Sequence, residues 1–262
     1  GAAVEGFTIE GFDRSGIQTQ CTDGAVVRSN TLDGGEQYGV EAAYAVGGRI
    51  SKNAASGARH AAIYLAGSRG VSIDRNVAFS SGSGIGLVNV SDALVSLNIA
   101  FDNTAGILTL ASAGAPLPPN ERNAVEDNYV FANNRSNHCG DGEVGVCAAP
   151  RGTGILLLGS KQSRAVRNNV TANDAVGIGV ADLCTVLALG PVECAGLGYD
   201  AASTGNEIRD NASLGNAIGQ FNHAAGFLYN DLAWDFQGSG NCWSGNNYFS
   251  SFPPFFLLPR CP

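Results

Sequence analysis

An asparagine returns at nearly fixed intervals along this chain, and that interval restricts the fold more than any other feature. Asn30, Asn53, Asn76 and Asn98 stand 23, 23 and 22 residues apart. The same register places Phe7 before them and Asn128, Asn169, Asn211 and Asn246 after them, at later steps of 30, 41, 42 and 35. Three residues ahead of the first eight positions stands Val4, Val27, Ile50, Ile73, Val95, Val125, Val166 or Ile208. A second β-branched residue follows nine or ten positions later, as in Ile17, Val40, Ile63, Ile85, Ile107 and Ile178. The pattern predicts two short strands per repeat, each alternating with period two and each ended by a turn rich in Gly, Asn, Asp and Ser.

A helical solenoid would need a 3.6-residue period in repeats of about 30–45 residues, which this chain lacks. Coils of 22–23 residues with asparagine corners predict an all-β fold, a parallel β-helix spanning 1–262 as a single domain. The asparagine tolerates the turn's backbone, and its amide donates to and accepts from the Asn of the next coil, so the corners stack as a hydrogen-bonded ladder. Nine coils at about 4.8 Å each make a rod of roughly 43 Å. The sequons at Asn169 and Asn211 fall on this ladder and are expected to point inward, without sugar.

Repeats such as "ISKNAASGARHAAIYLAGS" and "AVRNNVTANDAVGIGV" give the chain a resemblance to the bacterial right-handed parallel β-helix repeat proteins. That broad group includes NosD-like proteins and many carbohydrate-binding or sugar-cleaving enzymes. The resemblance implies a right-handed coil and an extracytoplasmic protein with a polysaccharide partner. The motifs that mark the alginate epimerases, polygalacturonases and pectate lyases of this architecture are not in the sequence: there is no Asp-Pro-His-Glu, no Asn-Thr-Asp with Gly-His-Gly and no Arg-x-Pro-x-x-Arg. No catalytic set carries over. The glycine-rich calcium nonapeptide is also missing, so no cofactor is called for and a Ca2+ site has no motif behind it.

The charge balance, −8, offers no long-range attraction to nucleic acid or anionic lipid. No apolar run reaches the roughly 18–20 residues of a membrane span, so membrane insertion is not expected. Six of the seven cysteines form sequence-local pairs, Cys139 with Cys147, Cys184 with Cys194 and Cys242 with Cys261, each bracketing a loop. These spacings do not match a structural zinc site. They predict three disulfides and an oxidising compartment, hence secretion. Cys21 is left over and reads as a small buried apolar residue.

The regular repeat breaks at 111–121, 132–152 and 181–203, and the segment 236–262, ending "SFPPFFLLPRCP", reads as a cap tied by Cys242 and Cys261. The insertion 132–152 enlarges the corner before the second strand of its repeat, and the other two enlarge the corner after it. All three therefore rise beside one sheet, which becomes the floor of a trough. If Ile17, Val40, Ile63, Ile85, Ile107 and Ile155 point inward, then Gln18, Gln20, Glu41, Tyr64, Val88, Leu108, Leu110, Leu156 and Leu158 point out. The floor is then polar toward the N-terminus and apolar toward the C-terminus. The apolar half is expected to lie under the stapled loops.

At the polar half, the corner before the floor carries Asp13 and Arg14, then Glu36 and Gln37, then Arg59 and His60 on successive coils. With Glu41 and Tyr64 they predict a functional surface. Glu41, His60, Tyr64 and Arg59 are the candidate catalytic residues, since a carboxylate, an imidazole and a phenol can exchange protons with a sugar and a guanidinium can neutralise a uronate. Asp13, Arg14, Gln18, Gln20 and Glu36 are candidate substrate contacts. His138 and Asp141 join them from the stapled loop, about three coils or roughly 14 Å from His60, and in this group of His138, Asp141 and Glu143 the two carboxylates offer oxygen ligands suited to calcium. His223 reads as a packing residue.

The function expected from these features is a secreted β-helix that binds a polysaccharide and processes it by lyase, hydrolase or epimerase chemistry. The competing expectation is a non-catalytic surface or assembly protein. Metal handling of the NosD kind is disfavoured by the absence of Met and the scatter of the histidines. Because Phe7 and Val4 sit partway through a coil, the first coil is expected to be covered by further residues, by a docked partner or by self-association.

Overall fold

Strands of two to six residues, bent at sharp corners, wind the chain into a right-handed parallel β-helix. The computed structural model describes residues 1–112, 119–137, 139, 145–218 and 228–262. Three parallel sheets of nine, eight and nine strands form its sides. The first runs from Ala3–Glu5 to Cys242–Ser244, the second from Thr8–Phe12 to Ala212–Leu214, and the third from Ser15–Gln20 to Ser251–Phe252. Each repeat thus contributes three strands, not two. The extra one, Val77–Phe79 and its equivalents, often has a single inward residue such as Ala78 or Ala100, too short a stretch for alternation to show.

The ladder forms as the sequence implies. Asn76 donates from Nδ2 to Asn98 Oδ1 at 3.0 Å and to the Ile50 carbonyl at 2.9 Å, while its backbone N–H donates to the same Oδ1 at 3.0 Å. One rung differs: Asn168, not Asn169, accepts from Asn128 and donates to Asn211. Ala165, not Val166, fills the inward strand position beside Val125 and Ile208. Asn169 is exposed, so its sequon lies on the surface, whereas Asn211 is buried. The insertion before this coil shifts the count by one, and only strand parity chooses between two adjacent asparagines.

Two more ladders occupy the other corners, each five residues away along the chain. Asn103, Asn133, Asn173 and Asn216 stack after the first ladder, and Asn216 ends on the buried carboxylate of Asp231. Asn123, Ser163, Asn206 and Asn241 stack before it. The residue just before each rung of the first ladder has positive φ, including Ser29, Lys52, Arg75, Leu97, Asp127, Arg167 and Asp210 at 54–59°. A leucine is a poor choice for that backbone, which costs most L-residues about 1–2 kcal/mol. Leu97→Asn is expected to stabilise the protein by roughly 0.5–1 kcal/mol, seen as a higher melting temperature. An unchanged or lowered one would count against the corner as the source of strain.

The apolar core has two parts because the third sheet is covered on both faces. Ile17, Val40, Ile63, Leu65, Ile85, Leu87, Ile107 and Ile155 fill the inside of the coil. Val88, Leu108, Leu110, Leu156 and Leu158 face outward and meet Val146, Cys147, Leu183 and Leu228 from the overlying segments. At the end of the chain, residues 242–252 continue the solenoid with strands Cys242–Ser244 and Ser251–Phe252. Only the residues after Phe252 therefore lie across the last coil, with Leu258 packed in the core beside Trp243. Among the described residues, no helix is long and apolar enough to cross a membrane.

Candidate functional site

Loop position is set by the floor beneath it. The structure joins Cys139 to Cys147, Cys184 to Cys194 and Cys242 to Cys261. Cys21 is free and exposed, not buried, because it occupies a positive-φ corner (51°) that turns its side chain away from the core. Residues 183–195 form two short helical turns, Leu183–Val186 and Pro191–Ala195, tied by their disulfide. The loop carrying Cys139 and Cys147 leans back over the preceding coils as far as the one that carries His60. Val146 lies against Gly86, where a Cβ would meet Val146 Cγ1 at 2.5 Å. The missing side chain makes the seat. As a result Cys139 and Cys147 approach His60, and these parts of the loop do not stand three coils away. His138, Asp141, Glu143 and His223 lie outside the described residues, and so does the calcium arrangement built on them.

Upstream of this loop the floor opens into a groove of about 450 Å³, lined by Arg14, Gln18, Gln20, Gln37, Tyr38, Glu41, Tyr44 and Tyr64. Strand register explains the convergence: Gln18 pairs with Glu41, and Glu41 with Tyr64, along one outward row. Glu41 is 5% exposed. Its Oε2 accepts from Ser15 Oγ at 2.6 Å and from Gln18 Nε2 at 3.1 Å, and its Oε1 lies 3.8 Å from Arg14 Nη2.

Tyr38, which strand alternation does not single out, stacks on Tyr64 with ring centroids 4.1 Å apart and planes 8° from parallel. Burial, with the neighbouring Tyr64 and Glu41 adding to it, holds the Tyr38 phenol far above its ordinary range. Burial raises the Tyr64 phenol too. Both phenols therefore stay protonated at neutral pH and serve as hydrogen-bond donors, not bases. Tyr64 also packs on the apolar cluster below the loop, so its ring is not an open platform. Tyr44, 46% exposed, is the aromatic surface that remains.

The expected cluster divides into two hollows. Asp13, Glu36 and Arg59 line a separate corner hollow of about 510 Å³ with Arg135, where Arg59 lies 3.7 Å from Glu36. His60 meets the edge of the Tyr38 ring at a centroid distance of 5.6 Å and does not line the groove. Arg14, Gln18, Gln20, Glu41 and Tyr64 are brought together, while Asp13, Glu36, Arg59 and His60 are not brought to them. The backbone turns through the corner between residues 13 and 14 and again between 36 and 37, so neighbours in sequence face different sides. Gln37 and Tyr38 were legible only as polar and aromatic residues near a corner.

A family model described as periplasmic copper-binding protein (NosD) matches residues 2–251. No curated protein sequence matches the chain. Among solved structures, it is similar to the periplasmic alginate epimerase AlgG, with a TM-score of 0.64 at 18% identity over 92% of this chain and 50% of that one. It is also similar to the A-module of mannuronan C-5 epimerase AlgE4 from Azotobacter vinelandii, with a TM-score of 0.53 at 13% identity over 98% of this chain and 79% of that one. A third is the DFA-IIIase from Arthrobacter chlorophenolicus A6 in complex with GF2, with a TM-score of 0.55 at 12% identity over 94% and 58%. The chain spans about half the length of AlgG. These likenesses bear on the fold.

Proposed function

Because this chain belongs to the NosD family of periplasmic proteins, we propose that it works outside the cytoplasm and binds a polysaccharide in the groove beside Tyr44. The observation that carries the proposal is the groove's lining: three glutamine amides, protonated phenols, one buried carboxylate and one guanidinium around an exposed aromatic ring. Amides and a carboxylate hydrogen-bond sugar hydroxyls, the ring covers an apolar sugar face, and Arg14 suits a uronate. The similar folds named for alginate, mannuronan and DFA-III enzymes support the same partner class. Among the groove's lining residues Glu41 is the one carboxylate. Glycoside hydrolysis ordinarily uses two, which favours binding over hydrolysis as the groove's task.

Calorimetry against a panel of neutral and uronate polysaccharides tests this reading. Tyr44→Ala and Gln18→Ala are each expected to weaken binding roughly tenfold, equivalent to about 1.4 kcal/mol. Glu41→Gln is expected to weaken it more, by about 10–100-fold, because a charge-assisted acceptor is lost. Tyr64→Ala is a poorer probe, since it also loosens the loop's seat. Failure of every saccharide to bind, or variants indistinguishable from the wild type, would sink the proposal.

Copper is what the family's description names. The sequence has no Met and three His. Among the described residues, the group of metal-ligand side chains is His60 with Cys139 and Cys147, and both sulfurs are joined to each other. In that oxidised form the set supplies one imidazole nitrogen and no thiolate, which does not fit a copper site.

A further inference from the structure

Asn246, the last rung of the first ladder, opens into a hollow. It keeps the geometry of the rungs before it: its Oδ1 accepts from the Asn211 N–H at 3.0 Å and from Asn211 Nδ2 at 2.9 Å, and its own Nδ2 donates to the Ile208 carbonyl at 2.7 Å. On each earlier asparagine rung, as on Asn128 and Asn168, the backbone N–H and the second amide hydrogen share one oxygen of the next coil. On Asn246 those two donors have no acceptor among the described residues. The residue before it is in the same position. Asp127, Arg167 and Asp210 donate their N–H groups to the carbonyls of Val166, Arg209 and Ser244 one coil on, whereas the N–H of Gly245, at the equivalent place, meets none among the described residues. Three donors therefore face one side of a single corner.

The hollow there holds about 330 Å³ and is lined by Trp243, Ser244, Asn246, Tyr248, Phe255 and Arg260, among others. Arg260 pairs in parallel register with Trp243, so the two side chains leave the same face of the sheet. Arg209 Nε donates to Ser244 Oγ at 3.1 Å, which brings a second guanidinium to the rim. One carboxylate, that of Asp210, sits against Gly245 from the preceding coil. Phe255 is 66% exposed, and the buried indole N–H of Trp243 has no acceptor among the described residues. Another ladder of this molecule shows what such an end accepts. Asn216 gives its N–H and its Nδ2 to Asp231 Oδ1 at 2.9 Å each, so a carboxylate oxygen takes the place of the next amide oxygen.

We propose that the hollow at Asn246 binds an organic carboxylate that carries an apolar body. One carboxylate oxygen occupies the rung position and accepts from the Asn246 N–H and Nδ2. The Gly245 N–H and the Arg260 guanidinium serve the other oxygen, since adjacent backbone donors and a guanidinium both favour an anion. Trp243, Tyr248 and Phe255 wall the apolar body. A sugar acid matches the charge but sets hydroxyls against Phe255 and Leu258, which give them no hydrogen bond. This inference is independent of the saccharide reading, whose groove lies on the first three coils, at the other end of the molecule.

The test titrates the full chain, labelled with nitrogen-15, with phenylacetate and, in separate series, with acetate and glucuronate, and follows the amide resonances by NMR. Phenylacetate is expected to saturate with a Kd on the order of 1 mM and to shift the backbone signals of Gly245 and Asn246 and the side-chain amide of Asn246. Acetate, which lacks the apolar body, and glucuronate are each expected to bind at least about tenfold more weakly. Arg260→Gln and Phe255→Ala change exposed residues, so the rest of the spectrum should keep the wild-type pattern. Each is expected to weaken phenylacetate binding about tenfold. Shifts that do not saturate, shifts that spare Gly245 and Asn246, acetate or glucuronate binding as tightly as phenylacetate, or wild-type affinity in the Arg260→Gln variant would each overturn the proposal.

Discussion

Replacing Asn98 by alanine is expected to destabilise the protein by about 3–5 kcal/mol, since it leaves buried polar groups without partners. Asn98 is 1% exposed. Its Oδ1 accepts from both the backbone N–H and the Nδ2 of Asn76, at 3.0 Å each. Its Nδ2 donates to Asn128 Oδ1 at 3.0 Å and to the Ile73 carbonyl at 2.9 Å. Alanine strands the Asn76 N–H and the Ile73 carbonyl inside the coil, with a small cavity in addition. A chain of this size is expected to lose about 10 °C or more of melting temperature. Asn169→Ala, one residue from a rung but on the surface, is the matched control and should change little. Equal losses in the two variants would refute this ladder register.

Leu156→Asp and Leu157→Asp are expected to fail in different ways although the residues are adjacent and both wholly buried. Leu157 points into the coil among Leu65, Leu87 and Val180. An unpaired carboxylate there costs several kcal/mol with no route to water, and the variant should not fold. Leu156 points outward, beneath Val146, Leu183 and Leu228, and the segments above it can lift. That variant should keep its β-helix circular dichroism while gaining an apolar-dye signal and rapid proteolysis within 132–152 or 181–203. A protein that unfolds as a whole, or whose loops resist protease as in the wild type, would show that the covering segments and the coil form one cooperative unit.

Much of this architecture was legible because a solenoid is nearly one-dimensional: each coil touches only the next, so spacing in sequence becomes stacking in space. The positions of Asn76 and Asn98, the inward run from Ile17 to Ile155 and the apolar outward stripe ending at Leu158 all follow from period and parity. Legibility faded where the period was interrupted. After the insertion 132–152, Asn168 and Asn169 could not be told apart by counting, and the three-residue strands of the second sheet were too short to carry a pattern. The second and third ladders were present in the sequence as Asn103, Asn133 and Asn173 and as Asn123, Asn206 and Asn241, but their first coils hold serine or no polar residue at those places.

The sequence by itself determined the coil, the ladder chemistry and the local pairing of the cysteines, since each depends on spacing along the chain. The tertiary structure decided which polar residues meet. Arg14, Gln18 and Glu41 share a groove with Tyr38 and Tyr64, while Arg59 and Glu36 turn into a different hollow. It also carried Cys139 and Cys147 back to His60. These outcomes rest on a corner's direction and on the empty place above Gly86 into which Val146 fits. Such packing is set by shape across coils and has no period for a sequence to display.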